Sequence, residues 1–213
     1  MTKILLIRHG ESEANEKGFF AEQTDIPLSE KGKLQAEKAA AWICENYCVD
    51  KIYASDLQRA YETAKPIAER LNLSIESSKN LREINAGEWQ GKSFNDLEEN
   101  YAESYGVWLK DIGKAKSPNG ESVKELYDRI RFAMEKIAKE NDGKTIAVAT
   151  HATPIRALCA WVSGVSVEDM KSVAWGSNAS VTEIRVENGR WFLHKFSIDD
   201  YLVGFQTSFQ ANV

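Results

Sequence analysis

Cysteine and histidine are both scarce, with three of each among 213 residues. The cysteines are Cys44, Cys48 and Cys159. Their odd number, and the four-residue spacing of the first two inside a helical pattern, suit reduced thiols rather than a disulfide framework. No histidine or second cysteine pair stands at ligand spacing from them, which argues against a metal site. Long apolar runs are missing too: nothing approaches the ~18 residues of a membrane span. Residues 1–7 are too short for a signal peptide, and Arg8 and His9 interrupt them, so the expected compartment is the cytoplasm. A basic footprint is also lacking, because 27 Lys and Arg stand against 32 Asp and Glu for a net charge of -5. That balance excludes a general nucleic-acid binder and requires any bound anion to be held locally. No internal repeat or low-complexity run occurs, and the length fits one domain with an embellishment.

What is present is an alternation of strands and helices. Residues 3–9 form an apolar run ending in charge, as in a parallel strand buried on both faces. The spacing predicts a helix over 29–47, capped by Ser29, with Leu34, Ala40, Ile43, Cys44 and Tyr47 on its inner face. A strand over 51–54 leads to a helix over 57–71, capped by Ser55 or Asp56 and kinked at Pro66. A strand follows at 73–76. Residues 122–141 carry Val123, Leu126, Ile130, Ala133, Met134 and Ile137 at helical spacing, with Gly143 near the stop. The strand at 144–150 precedes a helix opened by Pro154 and running to about 162. Strands at 181–186 and 191–196 flank Asn188-Gly189, a strong hairpin signal. This order predicts a layered α/β domain. Residues 87–120 break the alternation, with short helical pieces near 94–101 and 105–110, and read as a lid inserted over one end of the sheet. Residues 204–213 show no periodicity and read as a loose tail.

Two of the three histidines occupy matching places. His9 and His151 each end a buried strand and are each followed by a small residue, Gly10 and Ala152. Carboxyl ends of parallel strands form the ligand-binding edge of such sheets, so neighbouring strands would turn both imidazoles into one crevice. Arg8 precedes His9, and Arg59 falls in the first turn of the helix leaving the second strand. Guanidinium forks converging there suit a phosphoryl group. The helix start at 152–154 adds backbone donors for an anion. His194, within the hairpin, reads as structural or solvent-facing.

These residues lie in blocks that resemble a known family. Leu6-Ile7-Arg8-His9-Gly10-Glu11-Ser12 with Asn15 is similar to the signature of the histidine phosphatase superfamily, which shares its fold with cofactor-dependent phosphoglycerate mutase. Asp25-Ile26-Pro27-Leu28-Ser29 with Gly32, Gln35 and Ala36 is similar to its second block, and Ser55-Asp56-Leu57-Gln58-Arg59-Ala60 with Thr63 and Ala64 to its third. Leu81-Arg82-Glu83 with Gly87, Trp89 and Gly91, then Asn119-Gly120-Glu121-Ser122, then Thr150-His151 with Ile155 and Arg156, continue in family order. The resemblance implies a three-layer α/β/α sandwich with a mostly parallel central sheet, one domain over 1–213 with a helical lid at about 87–120. It implies a phosphomonoester hydrolase in which His9 attacks phosphorus to form a phosphohistidine. A hydrogen bond to a carbonyl would fix the His9 tautomer, and nearby guanidinium charge would keep it neutral. Arg8, Arg59, His151 and Asn15 would hold the phosphoryl oxygens, and Glu83 would protonate the leaving oxygen and then deprotonate water. No metal or cofactor is implied. The implied partners are a small phosphorylated metabolite as substrate and inorganic phosphate as product, with the chain a monomer or homodimer and no nucleic acid or membrane bound.

The departures from the family pattern bear on substrate choice. Ala152 stands where a glycine is common, narrowing the pocket while keeping its N–H. Phe20-Ala21-Glu22-Gln23 replaces a segment whose glycine approaches the phosphate, which places Glu22 at the pocket mouth beside Gln23 among the expected substrate-binding residues. A carboxylate there would disfavour a second anionic group on the substrate. The 87–120 segment lacks the arginine cluster with which mutases shield their phosphoenzyme, so water should take the phosphoryl group. The aromatic residues Trp89, Phe94, Tyr101, Tyr105 and Trp108 read either as a lid over an apolar substrate portion or as packing. A phosphoglycerate mutase and a non-catalytic phosphate-binding module of the same fold are the competing readings.

Overall fold

Side-chain alternation in the first strand decides the layering. In β1 (Thr2–Arg8), Ile4 and Leu6 point to one face and Leu5 and Ile7 to the other, and all four are buried. The computed structural model describes residues 1–207. β1 pairs in parallel with β4 (Thr145–Thr150), which pairs with β2 (Lys51–Ser55), which pairs with β3 (Ile75–Ser78). On the other side β1 meets β5 (Val181–Glu187) antiparallel, and β5 meets β6 (Arg190–Ile198) antiparallel. The sheet order is therefore β3-β2-β4-β1-β5-β6. Leu5, Ile7, Ile52, Ala147 and Ala149 pack with Ala40 and Ile43 of α2 (Glu30–Asn46) and Ala64 and Ile67 of α3 (Gln58–Leu71). Ile4, Leu6, Ile146 and Val148 pack with Ile130 and Met134 of α6 (Val123–Glu140) and Ile155 and Leu158 of α7 (Ala152–Val162). Each such Ile or Leu contributes about 1.5–3 kcal/mol by leaving water. The result is the expected three-layer α/β/α sandwich. No helix among the described residues is long and apolar enough to cross a membrane.

Several local expectations shift for physical reasons. Ser29 caps α2 by accepting from Gly32 N, and Ser122 caps α6 in a reciprocal box with Glu125. Leu34, expected inward, is 52% exposed. Gly32, Gln35, Ala36, Ala39 and Ala40 form the inner face instead, because small residues let α2 approach the sheet closely. α3 has no side-chain cap at Leu57. Asp56 is drawn into a bidentate pair with Arg82 at 2.6 and 2.7 Å, and Asp25 accepts from Gln58 N at 2.7 Å in its place. α3 runs through Pro66 as one helix and closes at Asn72 in left-handed backbone, which moves β3 two residues later than expected. The hairpin turn has Asn188 at φ +50 and Gly189 at φ +76, as a type I′ turn requires.

The segment 87–120 contains α4 (Phe94–Asn100) and α5 (Ala102–Lys110), close to the expected pieces. Three of its aromatic side chains pack in the core around Phe20. Trp89, Tyr105 and Trp108 are buried and meet Phe20 edge-to-face at 5.3–6.3 Å between ring centroids. The chain beyond Gly204 is tied down as far as it is described: Gln35 Nε2 donates to Phe205 O at 2.6 Å and Lys31 Nζ to Gln206 O at 3.1 Å. The rest of the expected tail, 208–213, lies outside the described residues.

Candidate active site

The pairing of β1 with β4 brings the two strand ends together in register, Arg8 opposite Thr150. His9 N donates to Thr150 O at 2.9 Å, and the His9 and His151 rings stand edge-on with centroids 5.1 Å apart. The turn after His9 is held tightly. Gly10 N donates to Thr63 Oγ1 at 3.0 Å and Glu11 N to Gln35 Oε1 at 2.7 Å. α2 abuts this turn so closely that a Cβ on Gly32 would lie 1.9 Å from Glu11 O, which no side chain can satisfy without moving backbone. Ser12 then caps the short α1 (Glu13–Lys17) in a reciprocal box with Asn15.

Hydrogen bonding fixes the state of His9. Its Nδ1 lies 2.7 Å from Gly10 O, which can only accept, so Nδ1 carries the proton. Arg59 Nε, which can only donate, lies 3.3 Å from His9 Nε2. Nε2 therefore presents a lone pair, and the ring is the neutral tautomer that nucleophilic attack needs. Burial holds its pKa well below the ordinary histidine value, and the charges of Arg59 and Arg8 push it the same way.

Donors surround that lone pair. Arg8 and Arg59 are both 2% exposed. Arg8 Nη1 donates to Gly176 O at 2.7 Å; Arg59 Nη1 donates to Thr24 O at 3.1 Å and Nη2 to Glu22 O. His151 is fully buried, and neither ring nitrogen has a hydrogen-bond partner among the described residues. Burial and Arg59 hold it neutral, leaving one N–H donor and one acceptor aimed within the cluster. Asn15 spends its Oδ1 on Ser12 and on Asn178 Nδ2, which leaves its Nδ2 as the free donor. Glu83 lies on the turn after β3, with Oε1 accepting from Ile84 N at 2.8 Å and Oε2 from Thr153 N at 3.1 Å in the first turn of α7. Burial raises its pKa, and the two backbone donors oppose that rise. It does not pair with Arg82, which is committed to Asp56. A neutral buried imidazole with a lone pair, two buried guanidinium groups and a carboxyl whose pKa burial raises form a set that phosphoryl transfer through histidine would require.

Comparison with known proteins agrees with that chemistry. The family model described as histidine phosphatase superfamily (branch 1) matches residues 4–199. The chain belongs to the histidine phosphatase superfamily. It is 34% identical over 205 residues to Phosphoserine phosphatase 1 of Hydrogenobacter thermophilus, covering 96% of each chain. It is 31% identical over 209 residues to the Metal-independent phosphoserine phosphatase of Arabidopsis thaliana, covering 96% of this chain and 86% of that one. Among solved structures, Bacillus stearothermophilus YhfR superposes with a TM-score of 0.91 at 25% identity, over 95% of this chain and 100% of that one. A phosphoserine phosphatase mutant of Entamoeba histolytica in complex with phosphoserine superposes with a TM-score of 0.83 at 28% identity, over 95% and 100%. This histidine phosphatase is a phosphomonoester hydrolase, and neither the mutase nor the non-catalytic reading is favoured by its relatives.

The remaining expected residues of this histidine phosphatase are placed less simply. Glu22 adopts φ +43, the backbone conformation a glycine would take at no cost. Its Oε2 is buried without a partner, and burial together with the Glu83 charge raises its pKa well above the ordinary carboxyl value. A negative charge on Glu22 is thus disfavoured relative to an exposed carboxylate. Gln23 reaches inward, but its Nε2 is spent on Glu83 O at 3.0 Å, so it supports the turn that carries Glu83. Ala152 opens α7 beside His151 and is 8% exposed. His194 is exposed on β6. Sequence reasoning missed two residues. Asn178 is buried and donates to His9 O at 3.0 Å from an irregular loop that carries no periodic signal. Arg129 reaches the Glu83 turn from the polar side of α6; its placement two turns beyond Glu121 was the available clue.

Proposed function

We propose that His9 is the nucleophile and Glu83 the general acid and base in this phosphatase, with Arg8, Arg59, His151 and Asn15 holding the phosphoryl oxygens. A phosphoryl dianion accepting from Arg59 draws its N–H groups off His9 Nε2 and frees the lone pair for attack. The Nε2–P bond forms as the ester P–O bond breaks, and Glu83 delivers its proton to the leaving oxygen. In the second half, water attacks phosphorus, Glu83 takes the proton of that water, the N–P bond breaks, and inorganic phosphate leaves. Two buried guanidinium groups stabilise the charge that develops on phosphorus in both halves.

The observation that carries this reading is the neutral His9 tautomer, with Nδ1 tied to Gly10 O and Nε2 facing a guanidinium. The chain acts as one catalytic unit, with residues 87–120 as its lid: Phe20 packs against the lid aromatics two residues before Glu22, so lid position and the pocket mouth are mechanically joined. The names of the relatives put phosphoserine first among the substrates to test. Phosphate release from a panel of phosphorylated metabolites, with and without EDTA, tests the function. Phosphoserine turnover that survives EDTA and is abolished by His9→Ala with the fold intact is expected. Unchanged turnover in His9→Ala would sink the mechanism.

A further inference from the structure

All five N–H groups of the Arg129 guanidinium are committed, and all to one place. Nε and Nη2 grip the two oxygens of Glu121 at 2.8 and 2.9 Å. Nη1 donates to Asn80 O at 2.9 Å and Arg82 O at 3.0 Å, and Nη2 also to Glu83 O at 3.2 Å. Glu121 grips the same turn further along: its Oε2 accepts from Asn85 N at 3.1 Å, and its own N–H donates to Asn85 O at 2.7 Å. One guanidinium–carboxylate pair thus straps the irregular backbone from Asn80 to Asn85, with Glu83 in the middle.

The two side chains are only 20% and 15% exposed, and replacing such a largely buried pair by apolar packing is often neutral or stabilising, so stability alone is a poor reason for the arrangement. Rigid planar geometry is what a fork-to-fork pair supplies. The Glu83 turn needs it, because no strand or α-helix holds residues 82–86. The carboxyl is held by Ile84 N and by Thr153, whereas its backbone is fixed by Arg129 and Gln23. A misplacement of ~1 Å in a reacting group is enough to cost ~100-fold in rate.

We infer that Arg129 and Glu121 are positioning residues that hold the Glu83 carboxyl at the leaving oxygen. The inference rests on the reading of Glu83 as the acid. Because Glu83 protonates the leaving group, loss of its alignment matters for a poor leaving group and hardly at all for one that departs unprotonated. The test measures kcat/KM, which reports the phosphorylation half-reaction, for phenyl phosphate and 2,4-dinitrophenyl phosphate in Glu83→Gln, Arg129→Lys, Glu121→Gln and the Glu83→Gln/Arg129→Lys double variant. General-acid catalysis is worth ~100- to 10,000-fold, so Glu83→Gln should lose at least ~100-fold on phenyl phosphate. Arg129→Lys and Glu121→Gln should each lose about 10-fold on that ester and under about 2-fold on the dinitrophenyl ester, with vanadate inhibition unchanged; the double variant should be no slower than Glu83→Gln alone. Equal loss on both esters in the strap variants, while Glu83→Gln discriminates, would show a merely structural role and overturn the inference. Equal loss in Glu83→Gln itself would overturn the acid assignment and the inference with it. Glu121→Gln keeps the side-chain shape, so the contrast can be read even if Arg129→Lys folds poorly.

Discussion

Arg59→Met separates catalysis from stability at the centre of the site. In the proposed mechanism Arg59 supplies a charge to the phosphoryl group, and it makes three hydrogen bonds, to His9 Nε2, Thr24 O and Glu22 O. Removing one preorganised donor from a site of developing negative charge costs ~100- to 1,000-fold, about 3–4 kcal/mol of transition-state stabilisation. Stability moves differently. Losing three bonds to a charged donor costs about 1.5–3 kcal/mol each, but ending the burial of a cation returns several kcal/mol. Those terms nearly cancel, so the melting temperature should change by only a few degrees while kcat/KM collapses. The His9 pKa is a third readout: burial is the larger cause of its depression and Arg59 the next. Its imidazole should therefore titrate higher in Arg59→Met, yet still below an ordinary histidine, in an NMR titration of the ring protons. Loss of less than about 10-fold in kcat/KM would contradict the oxyanion-type role. An unmoved His9 pKa would contradict the proposed electrostatics.

Other expectations follow from the same geometry. Burial, and then the neighbouring Glu83, raise the Glu22 pKa, so its charge develops at higher pH than that of an ordinary carboxyl. Discrimination against substrates with a second anionic group should therefore grow with pH in the parent protein and be flat in Glu22→Gln; a parent whose discrimination ignores pH would refute this. Gly32→Ala should destabilise the fold by about 1–3 kcal/mol or more and depress activity, because the new methyl meets the Glu11 carbonyl. Unchanged melting and turnover in that variant would show that the close contact between α2 and the His9 turn is not needed.

How much of this was legible in sequence depended on how local the cause was. The β1 and β4 runs, the Ser29 cap, the apolar spacing of α6 and the Asn188-Gly189 turn carry their structure within a few residues, and all were readable. The His9–His151 edge was readable because strand ends and sheet parallelism follow from pattern. Leu34 misled because its neighbours Ala36, Ala39 and Ala40, not its own bulk, set the phase of α2. Asp56 failed as a cap because Arg82, 26 residues away, competed for it. Glu22 was placed at the pocket mouth from sequence, but only the fold shows Arg8, Arg59 and Glu83 around it. Asn178 acts through a backbone carbonyl of another segment and leaves no mark in composition or spacing, and the spacing of Arg129 from Glu121 marks their pairing but not the carbonyls of Asn80, Arg82 and Glu83 that Arg129 also holds.

The most direct test of the central claim is the chemical identity of the phosphorylated intermediate. Rapid quenching of the enzyme with an activated aryl phosphate, followed by peptide mapping under conditions that preserve phosphoramidate bonds, locates the phosphoryl group. The account predicts one phosphoryl group on His9, absent in His9→Ala and accumulating in Glu83→Gln, where its hydrolysis lacks a base. A phosphoryl group on His151 or on any other side chain would contradict it, as would turnover without a covalent intermediate.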